Sequence, residues 1–135
     1  MHKTLLVFFI GAFLISSCGK SDLRKKISGA DEVVISFIAQ GDSIGKTVSA
    51  AEPGAVNRMI DFIEAKKADS VQVTFDGKII FNKEGKEIQE VRFAYKDAGY
   101  RSFFYTLDGK QYYTKMSNEA ADFLTALATG KEIYW

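Results

Sequence analysis

Apolar and polar residues alternate along much of the second half of this chain, and short turn sequences interrupt the alternation. Val71, Val73 and Phe75 alternate with polar residues before the dipeptide Asp76-Gly77, and the same dipeptide recurs at Asp108-Gly109. A period of two is typical of a strand with one buried face, and Asp-Gly is a strong signal for a hairpin turn. The pattern therefore predicts antiparallel strands joined by short turns.

The first Asp-Gly segment predicts a bulged hairpin. A three-residue loop over residues 76–78 would place Phe75 opposite Ile79 and Val73 opposite Phe81. All four apolar side chains would then share one face, whereas a two-residue loop would send the second pair to the opposite face. We therefore predict the longer loop.

More strands are predicted on both sides of this hairpin. The sequence NKEGK at 82–86 predicts a turn, and Val91, Phe93 and Tyr95 mark the strand after it. Residues 100–107 and 110–115 predict a second hairpin around Asp108-Gly109. Before the hairpins, the β-branched run at 33–39 predicts a buried strand, and a short strand is predicted at 46–48.

Two helices complete the prediction. The first has Pro53 in its first turn and an apolar stripe at i, i+3, i+4 and i+7, formed by Val56, Met59, Ile60 and Ile63. The second has Ser117 as its N-cap and Gly130 at its C-terminal cap. Its buried stripe is formed by Ala120, Phe123, Leu124 and Leu127. We therefore predict an α+β fold, with an antiparallel meander sheet of five to six strands and two helices packed on one face.

The N-terminus carries a second strong signal, which concerns location rather than fold. His2 and Lys3 precede an apolar run of 11 residues, Leu5 to Ile15, and two serines lead to Cys18, the single cysteine. The run is shorter than the roughly 20 residues that a bilayer crossing needs. The segment resembles the lipoprotein signal peptide of bacteria, whose lipobox ends in small residues and a cysteine.

The resemblance implies cleavage before Cys18, acylation of that residue and attachment of the mature protein to the membrane of the cell envelope. It implies a signal peptide at 1–17, a lipidated cysteine with a flexible tether at 18–30, and one α+β domain at 31–135. In that family, the absence of aspartate after the cysteine favours the outer membrane where a host has two membranes, and Gly19 stands there. The alternatives are a plain secretory signal, although no Ala-x-Ala-like cleavage site is present, and an uncleaved anchor.

Cleavage at that position would limit the chemistry of the mature domain. His2 is the single histidine, and Cys18 would lose its thiol to the lipid. Catalysis by Ser-His-Asp or Cys-His, zinc sites built on His and Cys, and an internal disulfide are then excluded. Lys3 is one of 18 basic residues, so its removal leaves 17 basic and 17 acidic side chains, which argues against nucleic-acid binding. We expect no cofactor and no metal.

Aromatic residues are concentrated in the second hairpin. Alternation sends Phe103 and Tyr105 to one face and Phe104 to the other, so either one face exposes aromatic rings or another part of the chain covers it. We identify Phe104, Tyr105, Tyr112 and Tyr113 as candidate partner-binding residues, because exposed rings contribute a large contact area with few rotamers to freeze.

The sequence thus predicts a non-catalytic, lipid-anchored module that binds a protein or another ligand of the envelope. One alternative is a carboxylate-dependent hydrolase of envelope polymers, and another is a structural component of an outer-membrane assembly. Candidate carboxylates for a hydrolase are Asp76, Asp97 and Asp108, all predicted in turns, where aspartate is favoured for local hydrogen bonding.

Overall fold

The computed structural model describes residues 21–38, 45–68, 73–131, 133 and 135. The predicted signal peptide and Cys18 lie outside the described residues. In chain order, the elements are α1 (Asp22–Ile27), β1 (Glu32–Phe37), β2 (Thr47–Ala50), α2 (Pro53–Glu64), β3 (Gly77–Lys83), β4 (Lys86–Ala94), β5 (Ser102–Leu107), β6 (Lys110–Lys115) and α3 (Asn118–Ala128). None of the described helices is both long enough and apolar enough to cross a bilayer.

The described strands form one antiparallel sheet in the order β2-β1-β3-β4-β5-β6. Strand β1 has β2 on one side and β3 on the other, and the remaining strands follow one another as a meander. The predicted α+β class with an antiparallel sheet is confirmed.

Burial alternates along the strands and separates two faces of the sheet. Val33, Ile35 and Phe37 are buried on β1, while the residues between them are only half-buried. Residues directly opposite one another across strands share a face, which places Ile79, Val91, Phe93 and Phe103 on this side. We call this side the inner face. Its side chains and the buried side chains of all three described helices belong to one core cluster.

Both long hairpins turn through two residues with positive φ. Glu84 and Gly85 have φ of 52° and 77°, and Asp108 and Gly109 have φ of 51° and 79°. Two positive φ values define the type I′ turn, whose twist matches that of the strands it joins. The predicted turns at 82–86 and at Asp108-Gly109 are therefore confirmed.

The hairpin predicted around Asp76-Gly77 is wrong. Gly77 begins β3 and pairs with Phe37 on one side and Phe93 on the other. A Cβ atom at position 77 would lie 2.3 Å from the Ser36 carbonyl oxygen and 2.5 Å from Cζ of Phe93, so this glycine is required by close packing and not by a turn. The carboxylate of Asp76 accepts the backbone N–H groups of Tyr95 and Lys96 at 2.8 and 3.1 Å.

The strand partners predicted for this segment are wrong for the same reason. Ile79 pairs with Ile35 and Val91, and Phe81 pairs with Val33 and Gln89. Residues 73–76 lie outside the strands, and residues 69–72 lie outside the described residues. A register shift occurs instead beside Phe81, where an extra β4 residue, Ile88, is accommodated.

The prediction of a flexible tether at 18–30 is also wrong for residues 21–30, which the structure describes. Ser21 caps α1 by accepting the Arg24 backbone N–H at 3.1 Å. Leu23 and Ile27, four residues apart and so on the same side of the helix, are 2% and 1% exposed within the core cluster. The folded body therefore includes α1, a third helix that was not predicted.

The two predicted helices are confirmed with their apolar stripes. Helix α2 has Pro53 at its N-terminus, although its N-cap, Glu52, makes no side-chain cap hydrogen bond. Helix α3 is capped by the Ser117 hydroxyl, which accepts the Ala120 N–H at 3.1 Å. At its C-terminus, Gly130 has φ of 78° and Lys131 N–H donates to the Ala126 carbonyl, the bonding of a Schellman motif.

Candidate functional site

A row of side chains crosses the side of the sheet opposite the inner face. Arg92 lies opposite Phe104, and Phe104 lies opposite Tyr113, so the three side chains share this side across β4, β5 and β6. Lys78 on β3 continues the row beside Arg92. We call this side the outer face. Arg92 is exposed and both rings are half-buried.

Three aromatic rings form a continuous ladder on the outer face. The Phe75 ring stacks on Phe104 at a centroid distance of 5.8 Å, and Phe104 contacts Tyr113 at 4.9 Å. The Arg92 guanidinium lies 6.0 Å from the centroid of the Phe75 ring and 3.5 Å from the Glu90 carboxylate. The ladder combines apolar area with a nearby charge, which is the composition of residues that dominate protein interfaces. We call Phe75, Phe104 and Tyr113 the aromatic ladder.

The other two candidate residues lie on the inner face. The rings of Tyr105 and Tyr112 stack at 5.2 Å with an interplanar angle of 12°, and Tyr105 is only 8% exposed. Burial raises the pKa of the Tyr105 hydroxyl to about 12, with smaller contributions from Glu64, Tyr112 and Asp22. The four candidates therefore form two separate pairs on opposite faces of the sheet.

The inner-face pair borders a groove that the sequence analysis did not detect. The groove has a volume of about 830 Å³ and lies between α1, the end of α2 and the β5–β6 hairpin. Its charged lining residues are Asp22, Glu64, Lys67 and Lys110, so the two signs balance. These residues come from three separate parts of the chain. Among the described residues, a further buried group on its lining, the Thr114 hydroxyl, has no hydrogen-bond partner.

One wall of this groove is held by polar contacts between α1 and α2. Arg24 contacts the Asp61 carboxylate at 2.6 Å and the Glu64 carboxylate at 3.5 Å. The Ser21 hydroxyl also donates to Glu64. Glu64 therefore has two partners within the fold, and its carboxylate positions α1 against α2.

The carboxylates considered for a hydrolase lie in turns and loops, where two of them hold backbone N–H groups. Asp76 holds two backbone N–H groups, as described above, and Asp97 accepts the Gly99 N–H at 3.1 Å within its own turn. Asp108 occupies the first positive-φ position of a hairpin turn. Within the ranges that the structure describes, no group of His, Cys, Asp and Glu side chains has the arrangement of a metal site.

A second groove of about 640 Å³ lies where β4 and β5 separate. Pairing between these strands covers only Arg92 to Ala94, and the Gln89 side-chain amide bridges the gap by donating to the Thr106 carbonyl at 3.1 Å. Phe104 of the aromatic ladder is one of its lining residues.

Comparison with known proteins gives no relative: no family model matches this chain, and no curated protein and no solved structure matches it. The function is therefore inferred from the residues of this chain alone.

Proposed function

We propose that this protein is a lipid-anchored lipoprotein of the bacterial cell envelope, whose domain binds a protein partner through the outer face of its sheet and carries out no catalysis itself. The observation that carries this proposal is the aromatic ladder on the outer face. Three rings in contact across neighbouring segments, with Arg92 beside them, provide apolar area outside the core cluster.

In this arrangement the helices cover the inner face and leave the outer face free. This is supported by the core cluster, which contains the buried helix residues and the inner-face residues Val91, Phe93 and Phe103 but neither Phe104 nor Tyr113. Interface anchors are effective when their rings are already held in place, because less conformational freedom is lost on binding. Contacts with Phe75 and Tyr113 hold Phe104 in this way.

A protein fits this surface better than a small ligand does. The ladder extends along a row of the sheet that also carries Lys78 and Arg92, and such a broad row suits another protein surface. Small-molecule sites are typically concave and bury most of their ligand. Tyrosine and arginine are also among the residues most enriched at the energetic centres of protein interfaces.

The lipid anchor is proposed from the N-terminal sequence, with Cys18 as the acylated residue and the outer membrane as the favoured location because Gly19 follows it. A test is fatty-acid labelling of the full chain and of the variant Cys18→Ser. We expect label and tight membrane attachment for the wild type, and neither for the variant. Label retained in the variant would contradict the anchor.

The docking surface is tested with the double variant Phe104→Ala and Tyr113→Ala. Capture from envelope extract with the wild-type chain identifies a stoichiometric protein partner, and the affinity of the purified pair is then measured. We expect the double variant to weaken binding by about 100-fold, or roughly 2.7 kcal/mol, as for two anchors of an interface.

The matched control is Tyr100→Ala, which removes an aromatic ring that is 54% exposed and lies outside the ladder. This variant should bind as the wild type does. Equal binding by the wild type and the folded double variant would refute the outer face as the docking surface.

A further inference from the structure

Helix α1 lies at the end of the sheet where both hairpins turn. Just after α1, the Asp31 N–H donates to the Asn82 carbonyl at 2.9 Å, and the Asp31 carboxylate accepts the N–H of Glu84 in the β3–β4 turn at 3.0 Å. Lys26 of α1 shares a groove with Asp108 of the β5–β6 turn. We call α1 and these two turns the hairpin end of the domain.

The opposite end of the sheet carries the loop at 96–100. Strand β4 runs from the hairpin end at Lys86 to Ala94, just before this loop. At the rise of a β-strand, the two ends are separated by about 26 Å. We call the loop and its neighbourhood the loop end.

The helix cannot swing away from the hairpin end without breaking core contacts. Leu23 and Ile27 are almost completely buried, and Arg24 pairs with Asp61 of α2 at 2.6 Å. Ser21, the N-cap of α1, is therefore held at the folded body. Separating α1 from the body would expose two large apolar side chains to water.

The distance from Ser21 to the proposed lipid is short whatever conformation the intervening residues adopt. Three residue steps separate Cys18 from Ser21. A fully extended chain covers at most about 3.6 Å per residue, which limits the separation to about 11 Å. An acylated Cys18 must stay at the membrane surface, so the hairpin end must stay near it.

We propose that the hairpin end of the domain lies against the lipid surface and that the loop end projects away from it. This inference rests on the proposed acylation of Cys18. With the strands directed away from the membrane, the aromatic ladder on the outer face stands at the side of the domain and is accessible to a partner in the same envelope layer.

The short connection, and not charge, is what sets this orientation. Lys25 and Lys26 are exposed on α1, but Asp22, Glu84 and Asp108 lie at the same end. Basic and acidic side chains are thus mixed there, and a strong attraction to anionic lipid is not expected. The orientation should therefore form on neutral vesicles as well as on anionic ones.

The test places a fluorescent reporter at one end or the other of the full-length lipidated protein in phosphatidylcholine vesicles that contain a nitroxide-headgroup lipid. Ser28→Cys reports on the hairpin end and Ala98→Cys on the loop end; both positions are exposed, and acylation has consumed the Cys18 thiol. Because the ends are separated by about 26 Å, quenching at position 28 should be at least about threefold that at position 98.

Equal quenching at the two positions, or stronger quenching at position 98, would overturn the orientation while the protein still floats with the vesicles. A protein that does not float with the vesicles would overturn the acylation as well. The two failures are therefore distinguished in one experiment.

A linker variant tests the cause of the orientation. An insertion of about 12 Gly and Ser residues between Lys20 and Ser21 adds a root-mean-square span of about 19 Å. We expect this insertion to reduce the difference in quenching between positions 28 and 98 to less than half. An unchanged difference would overturn the proposal that the short connection holds the hairpin end at the membrane.

Discussion

Phe103 and Phe104 are adjacent residues of the same type on β5, yet their side chains lie on opposite faces of the sheet. Phe103 is completely buried in the core cluster, opposite Phe93 of the inner face. Phe104 is half-buried on the outer face and contacts Phe75 and Tyr113. The aromatic residues of this hairpin therefore fall into two groups: one is buried in the core cluster, and the other lies on the outer face that we propose as the binding surface.

The same division appears on β6. Tyr112 stacks on Tyr105 at the inner face, and Tyr113 packs against Phe104 at the outer face. Because successive side chains of a strand point to opposite faces, adjacent substitutions test the division with little change in local sequence.

The largest expected effect is on stability. Phe103→Ala removes a fully buried ring and should lower the free energy of unfolding by about 3–5 kcal/mol. Phe104→Ala loses two ring contacts at the surface and should cost about 1 kcal/mol. Urea unfolding of both variants measures the difference. Equal losses would show that the outer face is packed as tightly as the inner face.

The pH dependence of stability should distinguish the buried tyrosine from the others. The pKa of Tyr105 is raised to about 12, so between pH 10 and pH 12 the unfolded chain releases this proton while the folded protein keeps it. Stability therefore falls as the pH rises. From about pH 8 to about pH 11 the contribution of Tyr105 falls by about 1.4 kcal/mol.

The measurement compares the wild type with Tyr105→Phe, because other groups also titrate in this range. The pKa of Tyr95 is raised too, by burial and then by Asp76, and this contribution is present in both proteins. The wild type should lose more stability than the variant as the pH rises. A difference that does not change with pH would contradict the burial of the Tyr105 hydroxyl.

The smallest expected effect concerns Thr114, which follows Tyr113 and points to the inner face opposite Phe103. Its hydroxyl is buried and has no hydrogen-bond partner among the described residues. Thr114→Val removes the unpaired hydroxyl at nearly constant shape and should stabilise the protein by about 1 kcal/mol. Thr125→Val is the control, because that hydroxyl donates to the Ala121 carbonyl at 2.8 Å.

Thermal unfolding of both valine variants checks this prediction. The control should leave the melting temperature unchanged or lower it, whereas Thr114→Val should raise it by about 3 °C. A lower melting temperature for Thr114→Val would mean that its hydroxyl has a partner.

The two Asp-Gly-Lys segments show when a local sequence predicts a turn correctly and when it does not. At Asp108-Gly109 the flanking alternation and the turn agree, and the prediction is confirmed. At Asp76-Gly77 the same dipeptide marks the start of β3 instead of a turn, because Gly77 lies against the Ser36 carbonyl of β1. That contact joins residues 41 positions apart, so no local pattern could reveal it.

The stripes of α2 and α3 could be predicted because each repeats over several turns. Helix α1 has only six residues and two buried side chains, which are separated by polar residues in a segment that resembles a linker. The groove beside Tyr105 could not be predicted either, because its charged residues come from α1, from the end of α2 and the segment after it, and from β6. The division of Phe103 from Phe104 could be predicted, since strand alternation alone determines it.

We propose that a partner binds the outer face of the sheet and not the inner face. The most direct measurement is photo-crosslinking in cells with a reactive phenylalanine analogue placed at Tyr113 in one variant and at Tyr112 in another. These neighbouring residues lie on opposite faces of β6, and both are partly exposed. We predict one discrete protein adduct from position 113 and none from position 112. An adduct from position 112 alone, or equal adducts from both positions, would refute the outer face as the binding surface.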